Sequence, residues 1–160
     1  IMDSVLASRD VQFVVLGTGD RNYEDYFKGL QERHQDKVRS LIQFNGPLSH
    51  MVYAGGSVIL VPSRSEPCGL TQMIGCRYGN IPVVRQTGGL ADTIQDCTLG
   101  DGSGFVFSQF TGEDLRQALT NALDRWYDED NWKALMVHDM GLDFSWDASA
   151  EEYKKLYEEL

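Results

Sequence analysis

The stretch Pro62-Ser-Arg-Ser-Glu-Pro-Cys-Gly-Leu-Thr-Gln72 gathers groups suited to phosphate and sugar. It follows the apolar run Ser57–Pro62 and leads into Gly69–Tyr78, which is patterned as a helix. A helix start offers free N–H groups and the positive end of the helix dipole, both of which attract phosphate. Gly69 lets a ligand approach the backbone closely, and Thr71 adds a hydroxyl donor. Glu66 sits just ahead of those amides, where a carboxylate can grip sugar hydroxyls. A phosphate cradle beside a carboxylate describes a nucleotide-sugar site. The same residues also describe an ordinary strand-to-helix turn in which Glu66 caps the helix. The local pattern leaves both readings open.

Other chemistry-bearing residues point less clearly. His34 and His138 lie in polar helical contexts and read as surface residues, while His50 suits a structural hydrogen bond. No Ser/His/Asp set is evident. Cys68, Cys76 and Cys97 are odd in number and lack Cys-x-x-Cys spacing, which disfavours a zinc site and fits a reducing intracellular compartment. Trp126, Trp132 and Trp146 keep helical company and read as core residues rather than stacking platforms for a ligand. Arg64 and Arg85 read as surface or structural residues.

The surrounding elements alternate. Strands are expected over Val11–Leu16, Val38–Phe44, Ser57–Pro62, Ile81–Arg85 and Gly104–Phe107. Helices are expected over Ile1–Ser8, Tyr23–His34, Leu48–Ala54, Gly69–Tyr78 and Asn131–Met140, with a helical turn after Thr87-Gly-Gly. Gly79 reads as a C-terminal cap, and Thr111 with Asp114 as a capping box. Residues 111–160 are helical, ending in an amphipathic helix with Tyr153, Leu156, Tyr157 and Leu160 on one face. This alternation implies a single α/β domain, a Rossmann-like, doubly wound parallel sheet. Ligands of such sheets bind outside the carboxyl ends of the strands. That places the site among Gly17–Asp20, Phe44–Pro47, Ser63–Thr71 and Thr87–Gly89.

The 160 residues carry 14 Lys+Arg against 24 Asp+Glu, a net charge of −10. Scarce, scattered basic residues argue against nucleic acid as a partner. No apolar run reaches the roughly 18 residues that a membrane crossing needs.

Several motifs in order resemble the bacterial glycogen synthases and plant starch synthases. They are Val14-Val-Leu-Gly-Thr-Gly-Asp20, Leu48-Ser-His-Met-Val-Tyr-Ala-Gly55 and Ser65-Glu-Pro-Cys-Gly-Leu-Thr-Gln-Met73. Arg77-Tyr-Gly79, Ile81-Pro-Val-Val-Arg85, Thr87-Gly-Gly-Leu-Ala-Asp-Thr-Ile94 and Asp143-Phe-Ser-Trp146 continue the series. The resemblance implies a C-terminal, donor-binding domain of a retaining glycosyltransferase built from two Rossmann-like domains. Such an enzyme moves glucose from ADP-glucose to the non-reducing end of an α-1,4-glucan. By the same resemblance Glu66 contacts the donor glucose and is assigned to catalysis. Cys68 and Gly69 lie against that sugar, Leu70 and Thr71 hold the diphosphate, and Phe44 faces the adenine where the family usually has Tyr. Phe44 read alone is also an ordinary strand-end core aromatic. No metal or other cofactor is expected.

Ser65, Gly75-Cys76 and Asn80 depart from the family pattern, Ser65 at the pocket wall and the others in packing. Ile74 stands eight residues after Glu66, where related two-glutamate transferases carry a second carboxylate. The resemblance also places an Arg/Lys loop, the domain's first strand and the whole opposing domain before Ile1. The sheet is then expected to be broken between Val11–Leu16 and Ser57–Pro62, leaving a chain that is poorly stable alone or takes a strand from a partner. The expected partners are ADP-glucose, the α-glucan acceptor and that N-terminal domain. The expected setting is the cytoplasm of a bacterium, or a plastid for a plant starch synthase. Two rival functions are a non-catalytic nucleotide-binding or interaction module and a UDP-glucose-dependent transferase of similar fold.

Overall fold

Each β-branched apolar run forms a strand, and each strand is followed by a helix. The computed structural model describes residues 1–159. The elements run α1 (Met2–Ser8), β1 (Phe13–Leu16), α2 (Arg21–Arg33), β2 (Val38–Leu41), α3 (Gly46–Gly55), β3 (Val58–Val61) and α4 (Thr71–Arg77). They continue with β4 (Ile81–Arg85), α5 (Gly89–Thr93), a 3-10 turn at Cys97–Leu99, β5 (Phe105–Phe107), α6 (Gly112–Trp126), α7 (Glu129–Met140) and α8 (Trp146–Glu158). All strand pairs are parallel.

The strands form two sheets, β1-β2 and β3-β4-β5. The sheet divides where a break is expected, between Val11–Leu16 and Ser57–Pro62. β1 and β3 therefore each keep one edge unpaired. The central strand β4 is buried on both faces, as a parallel strand between helical layers must be. On one face Ile81 and Val83 join Phe105, Phe107, Ala118, Ala122, Trp132 and Leu135, which brings α6 and α7 against the sheet. On the other, Val84 joins Val61, Cys76, Leu90 and Ile94 from β3, α4 and α5. A third cluster, Leu6, Leu30 and Val38, ties α1 and α2 to β2. Pro82 at the start of β4 is accommodated in register opposite Ile59.

Several helix starts are capped by side chains, as their sequences require. Asp20 accepts from Asn22 N (2.8 Å), Asn45 from Leu48 N (3.0 Å), Thr111 from Asp114 N (3.2 Å) and Ser145 from Ala148 N (3.2 Å). At Thr111 the box is only half formed, because the Asp114 carboxylate accepts from Gln109 N instead.

Four local expectations are corrected. β2 stops at Leu41, because Gln43 N turns back onto Leu41 O and carries Phe44 out of the ladder. α4 begins at Thr71 rather than Gly69, because Gly69 adopts a left-handed φ of +76° that no helix accepts. Of the three tryptophans only Trp132 is buried; Trp126 is about half exposed and Trp146 is 87% exposed. His34 is not a free surface residue: with Arg33 it grips Asp3 at 2.9 Å, and this pairing, Arg33 first, holds the Asp3 carboxyl down at about 2. The last helix is amphipathic but buries none of Tyr153, Leu156 and Tyr157. Leu160 lies outside the described residues.

Asp139 is the one fully buried carboxylate among the described residues. Its Oδ1 meets His138 Nδ1 at 3.0 Å, and its Oδ2 has no partner. Burial pushes its carboxyl from the ordinary 3.8 up to about 7, against the pull of His138. The folded chain therefore holds this proton longer than the unfolded chain. The associated stability is full below pH 3.8 and is lost as pH rises through about 7. In thermal melts at a series of pH values, Asp139→Asn is expected to flatten that decline. An unchanged pH slope in the variant would assign the decline to another group.

Candidate functional site

The loop from Pro62 to Leu70 leaves the carboxyl end of β3 and enters α4. Five of its carbonyl oxygens are taken up by elements behind it. Ser63 O and Arg64 O accept from the Arg85 guanidinium at 2.9 and 2.6 Å. Glu66 O accepts from Gly89 N at 3.2 Å. Cys68 O and Gly69 O accept from Gln72 Nε2 at 3.2 and 2.9 Å. The N–H groups of Ser65, Glu66, Cys68, Gly69 and Leu70 donate to no acceptor among the described residues. A loop with satisfied carbonyls and free amides presents partial positive charge, the polarity that an anion or sugar oxygen needs.

Two glycines allow this packing. At Gly88, with φ +45°, an added Cβ would lie 1.9 Å from Glu66 O. At Gly69 it would meet Gln72 Oε1 at 2.6 Å and Glu66 Cγ at 3.1 Å. The Thr87-Gly-Gly turn is thus pressed backbone to backbone against the loop. Gln72 is fully buried and also donates to Thr93 Oγ1 (3.1 Å), which in turn donates to Gly89 O (2.7 Å). That relay joins α4, α5 and the loop.

The capping reading of Glu66 is overturned. The residue at the N-cap of α4 is Leu70, and α4 has no side-chain cap. Glu66 is half-buried and accepts from Ser63 Oγ at 3.2 Å, which fixes its carboxylate on the loop. Cys68 is exposed, Leu70 is largely exposed, and Thr71 sits at the first turn of α4. Glu66, Cys68, Gly69, Leu70 and Thr71 are therefore brought together on one turn. Phe44 belongs to a different turn, after β2, and is 93% exposed, which removes its reading as a core aromatic.

The remaining candidates fall into structural places. His50 Nδ1 shares a 2.9 Å hydrogen bond with Tyr78 Oη, and Tyr78 stacks on Tyr53. Burial pushes the Cys76 thiol up to about 12 and the Cys97 thiol to about 11, so neither is a nucleophile. Gly75 packs on Ile59, and Asn80 donates to Tyr53 O at 2.6 Å, so these departures act on packing. An Asp-x-Asp pair occurs at Asp128–Asp130, but Asp128 caps α7 through Asn131 N. Among the described residues no group of three or more His, Cys, Asp or Glu is placed to hold a metal, and no helix is long and apolar enough to cross a membrane. Sequence reading assigned no individual role to Ser63, Gln72 and Thr93; its reading of Arg85 as a surface or structural residue agrees with the bonds that Arg85 donates to Ser63 O, Arg64 O and Ser108 O. The available signal was Gln72 itself, a polar residue one helical turn from buried Cys76.

A model of the family described as "Glycosyl transferases group 1" matches residues 1–127. The chain is 49% identical over 157 residues to the glycogen synthase of Clostridium perfringens, covering 97% of this chain and 33% of that protein. It is 50% identical over 151 residues to that of Thermotoga maritima, covering 92% and 31%. It thus spans about a third of the length of these curated relatives. The catalytic domain of starch synthase IV from Arabidopsis thaliana, solved bound to ADP and acarbose, superposes with a TM-score of 0.83 and 37% identity, covering 92% of this chain and 32% of that one. Sucrose-phosphate synthase from Thermosynechococcus elongatus shares the fold, with a TM-score of 0.66 at 22% identity over 98% of this chain and 40% of that one. With parallel strands between helical layers, an amide-lined loop at a strand end and a family match over most of its length, the chain belongs to the group 1 glycosyl transferases.

Proposed function

We propose that this chain is the donor-binding, C-terminal part of a glucosyltransferase that extends an α-1,4-glucan from ADP-glucose with retention at the anomeric carbon. The observation that carries the reading is the loop with five carbonyls engaged from behind and five amides free. The glycogen synthase names of the relatives and the ADP in the starch synthase structure support the choice of donor.

Each residue has a part in this reading. The Leu70 and Thr71 amides and the Thr71 hydroxyl take the diphosphate. Charge that builds on departing ADP falls on N–H groups already oriented for it, so little reorganisation is needed as the bond breaks. Glu66, fixed by Ser63, accepts from the donor glucose hydroxyls and holds the sugar while its C1–O bond lengthens. The Cys68–Gly69 backbone forms the floor beneath that sugar. Phe44 offers a bare aromatic face to adenine. No step needs a metal or another cofactor. The acceptor wall belongs to an opposing N-terminal domain, the Arg and Lys that face the diphosphate belong to a loop after the first strand of this same domain, and the setting is the cytoplasm of a bacterium.

In the protein at its natural length, Glu66→Gln is expected to lower kcat for glucan elongation by about 10²- to 10³-fold, as loss of an oriented transition-state contact does. A kcat within twofold of the parent would remove Glu66 from catalysis. Phe44→Ala is expected to raise the KM for ADP-glucose about 10-fold, in line with roughly 1–3 kcal/mol per stacked base, while Phe44→Tyr stays near the parent. Calorimetry with ADP-glucose and UDP-glucose tests the donor directly. Equal or tighter binding of UDP-glucose would overturn the choice of ADP-glucose, and binding without elongation would favour a non-catalytic module. The 160-residue chain alone is expected to bind nucleotide weakly and to elongate no glucan.

A further inference from the structure

We propose that Arg85 is a positioning residue for the donor site: its planar guanidinium sets the start of the Pro62–Leu70 loop so that the free amides and Glu66 face the donor. This deepens the reading just given and rests on it for the identity of the ligand. Arg85 ends β4, in register with Phe107 of β5, and is half-buried. Its Nε donates to Ser63 O at 2.9 Å and its Nη2 to Arg64 O at 2.6 Å. Its Nη1 donates to Ser108 O at 3.3 Å, and the guanidinium lies 5.6 Å from the centre of the Phe110 ring.

These contacts select arginine for its shape. Two adjacent carbonyls on the loop and one beyond β5 are reached by a rigid fork that remains charged at any physiological pH. The charge meets carbonyl dipoles and an aromatic face, with no carboxylate in ion-pair distance among the described residues. A backbone that gives its carbonyls to Arg85 keeps its amides turned the other way. Ser63 is held through its carbonyl by Arg85 and through its hydroxyl to Glu66, so the fork is one residue removed from the proposed catalytic carboxylate. At the far end of the loop Gln72 does the same for Cys68 and Gly69.

A lysine at this position retains the charge and loses the fork, which separates positioning from simple neutralisation of the diphosphate. In the protein at its natural length, Arg85→Lys and Arg85→Met are both expected to lower kcat/KM for the donor about 10- to 100-fold, the scale that follows when a supporting residue lets a site slip. The acceptor KM should stay within about twofold, and the surface control Arg116→Met should match the parent. Methylguanidine added to Arg85→Ala should restore part of the lost rate. Amide hydrogen exchange of the ligand-free protein should accelerate in the peptide spanning residues 62–70 and not in β4 itself.

The proposal is overturned if Arg85→Lys keeps parental kinetics, or if exchange in residues 62–70 is unchanged in both variants. It is also overturned if exchange rises throughout the β3-β4-β5 sheet, which marks Arg85 as a general stabiliser. The exchange measurement needs no donor. A parent that transfers glucose from neither nucleotide sugar would therefore sink the functional reading, while the exchange data still decide the part played by Arg85.

Discussion

A peptide group carries one donor and one acceptor, and a loop that must bind a ligand through its donors has to dispose of its acceptors elsewhere. In this chain the disposal is done by the guanidinium of Arg85, the amide of Gln72 and the N–H of Gly89. Each comes from an element behind the loop: β4, α4 or the start of α5. The neighbouring elements are arranged around that requirement. β4 must be central and buried so that Arg85 is delivered at a fixed height beside β3. α5 must begin at two glycines, because any side chain there would strike the loop backbone. The buried Gln72 amide costs desolvation, which its bonds to Cys68, Gly69 and Thr93 offset while its Oε1 remains unpaired.

Much of this was legible in the sequence because parallel α/β proteins write their topology in runs. Val58–Val61 and Ile81–Arg85 are continuous apolar strands since both faces are covered, and no amphipathic alternative competes. The rule that ligands sit at strand carboxyl ends then points to the turns that follow those strands. Element ends were less legible. Val38 to Phe44 reads as one strand, but pairing in register with β1 extends only to Leu41, opposite Leu16. Where β1 stops at Gly17, β2 has no partner left and turns away. Such a limit is a property of the neighbour, not of the run itself.

The site residues divide in the same way. Glu66, Cys68, Gly69, Leu70 and Thr71 were legible because they are contiguous, and contiguity survives folding. Gln72's relay to Thr93, and the reach of Arg85 back to Ser63, connect positions 21 and 22 residues apart. Long-range side-chain bonds of this kind leave no periodic trace. The tryptophans illustrate the converse. Trp132 and Trp146 both sit in helices, yet only the α7 helix has the β3-β4-β5 sheet to pack on. Helical spacing identifies a face, but the presence of something to cover that face is a separate fact.

The exposed aromatic surfaces carry a demand of their own. Phe44 stands almost fully free on a turn whose backbone is otherwise fixed by the Asn45 cap. α8 likewise presents Trp146, Tyr153 and Tyr157 exposed, with no neighbour to receive them among the described residues. Isolated exposed apolar residues need no explanation, but aromatic groups at a strand-end turn and along a whole helix amount to surface awaiting cover. Two different kinds of cover satisfy this arrangement. A flat ligand ring suits Phe44, a single aromatic beside an amide-lined loop. A protein face suits α8, whose aromatic residues recur along a helix spanning Trp146–Glu158. The free edges of β1 and β3 add an unmet backbone demand, because exposed strand edges seek a pairing partner. The Pro62–Leu70 loop is the exception. The groups that fix it, Arg85, Gln72 and Gly89, lie within this chain, so its polarity is set by the chain itself.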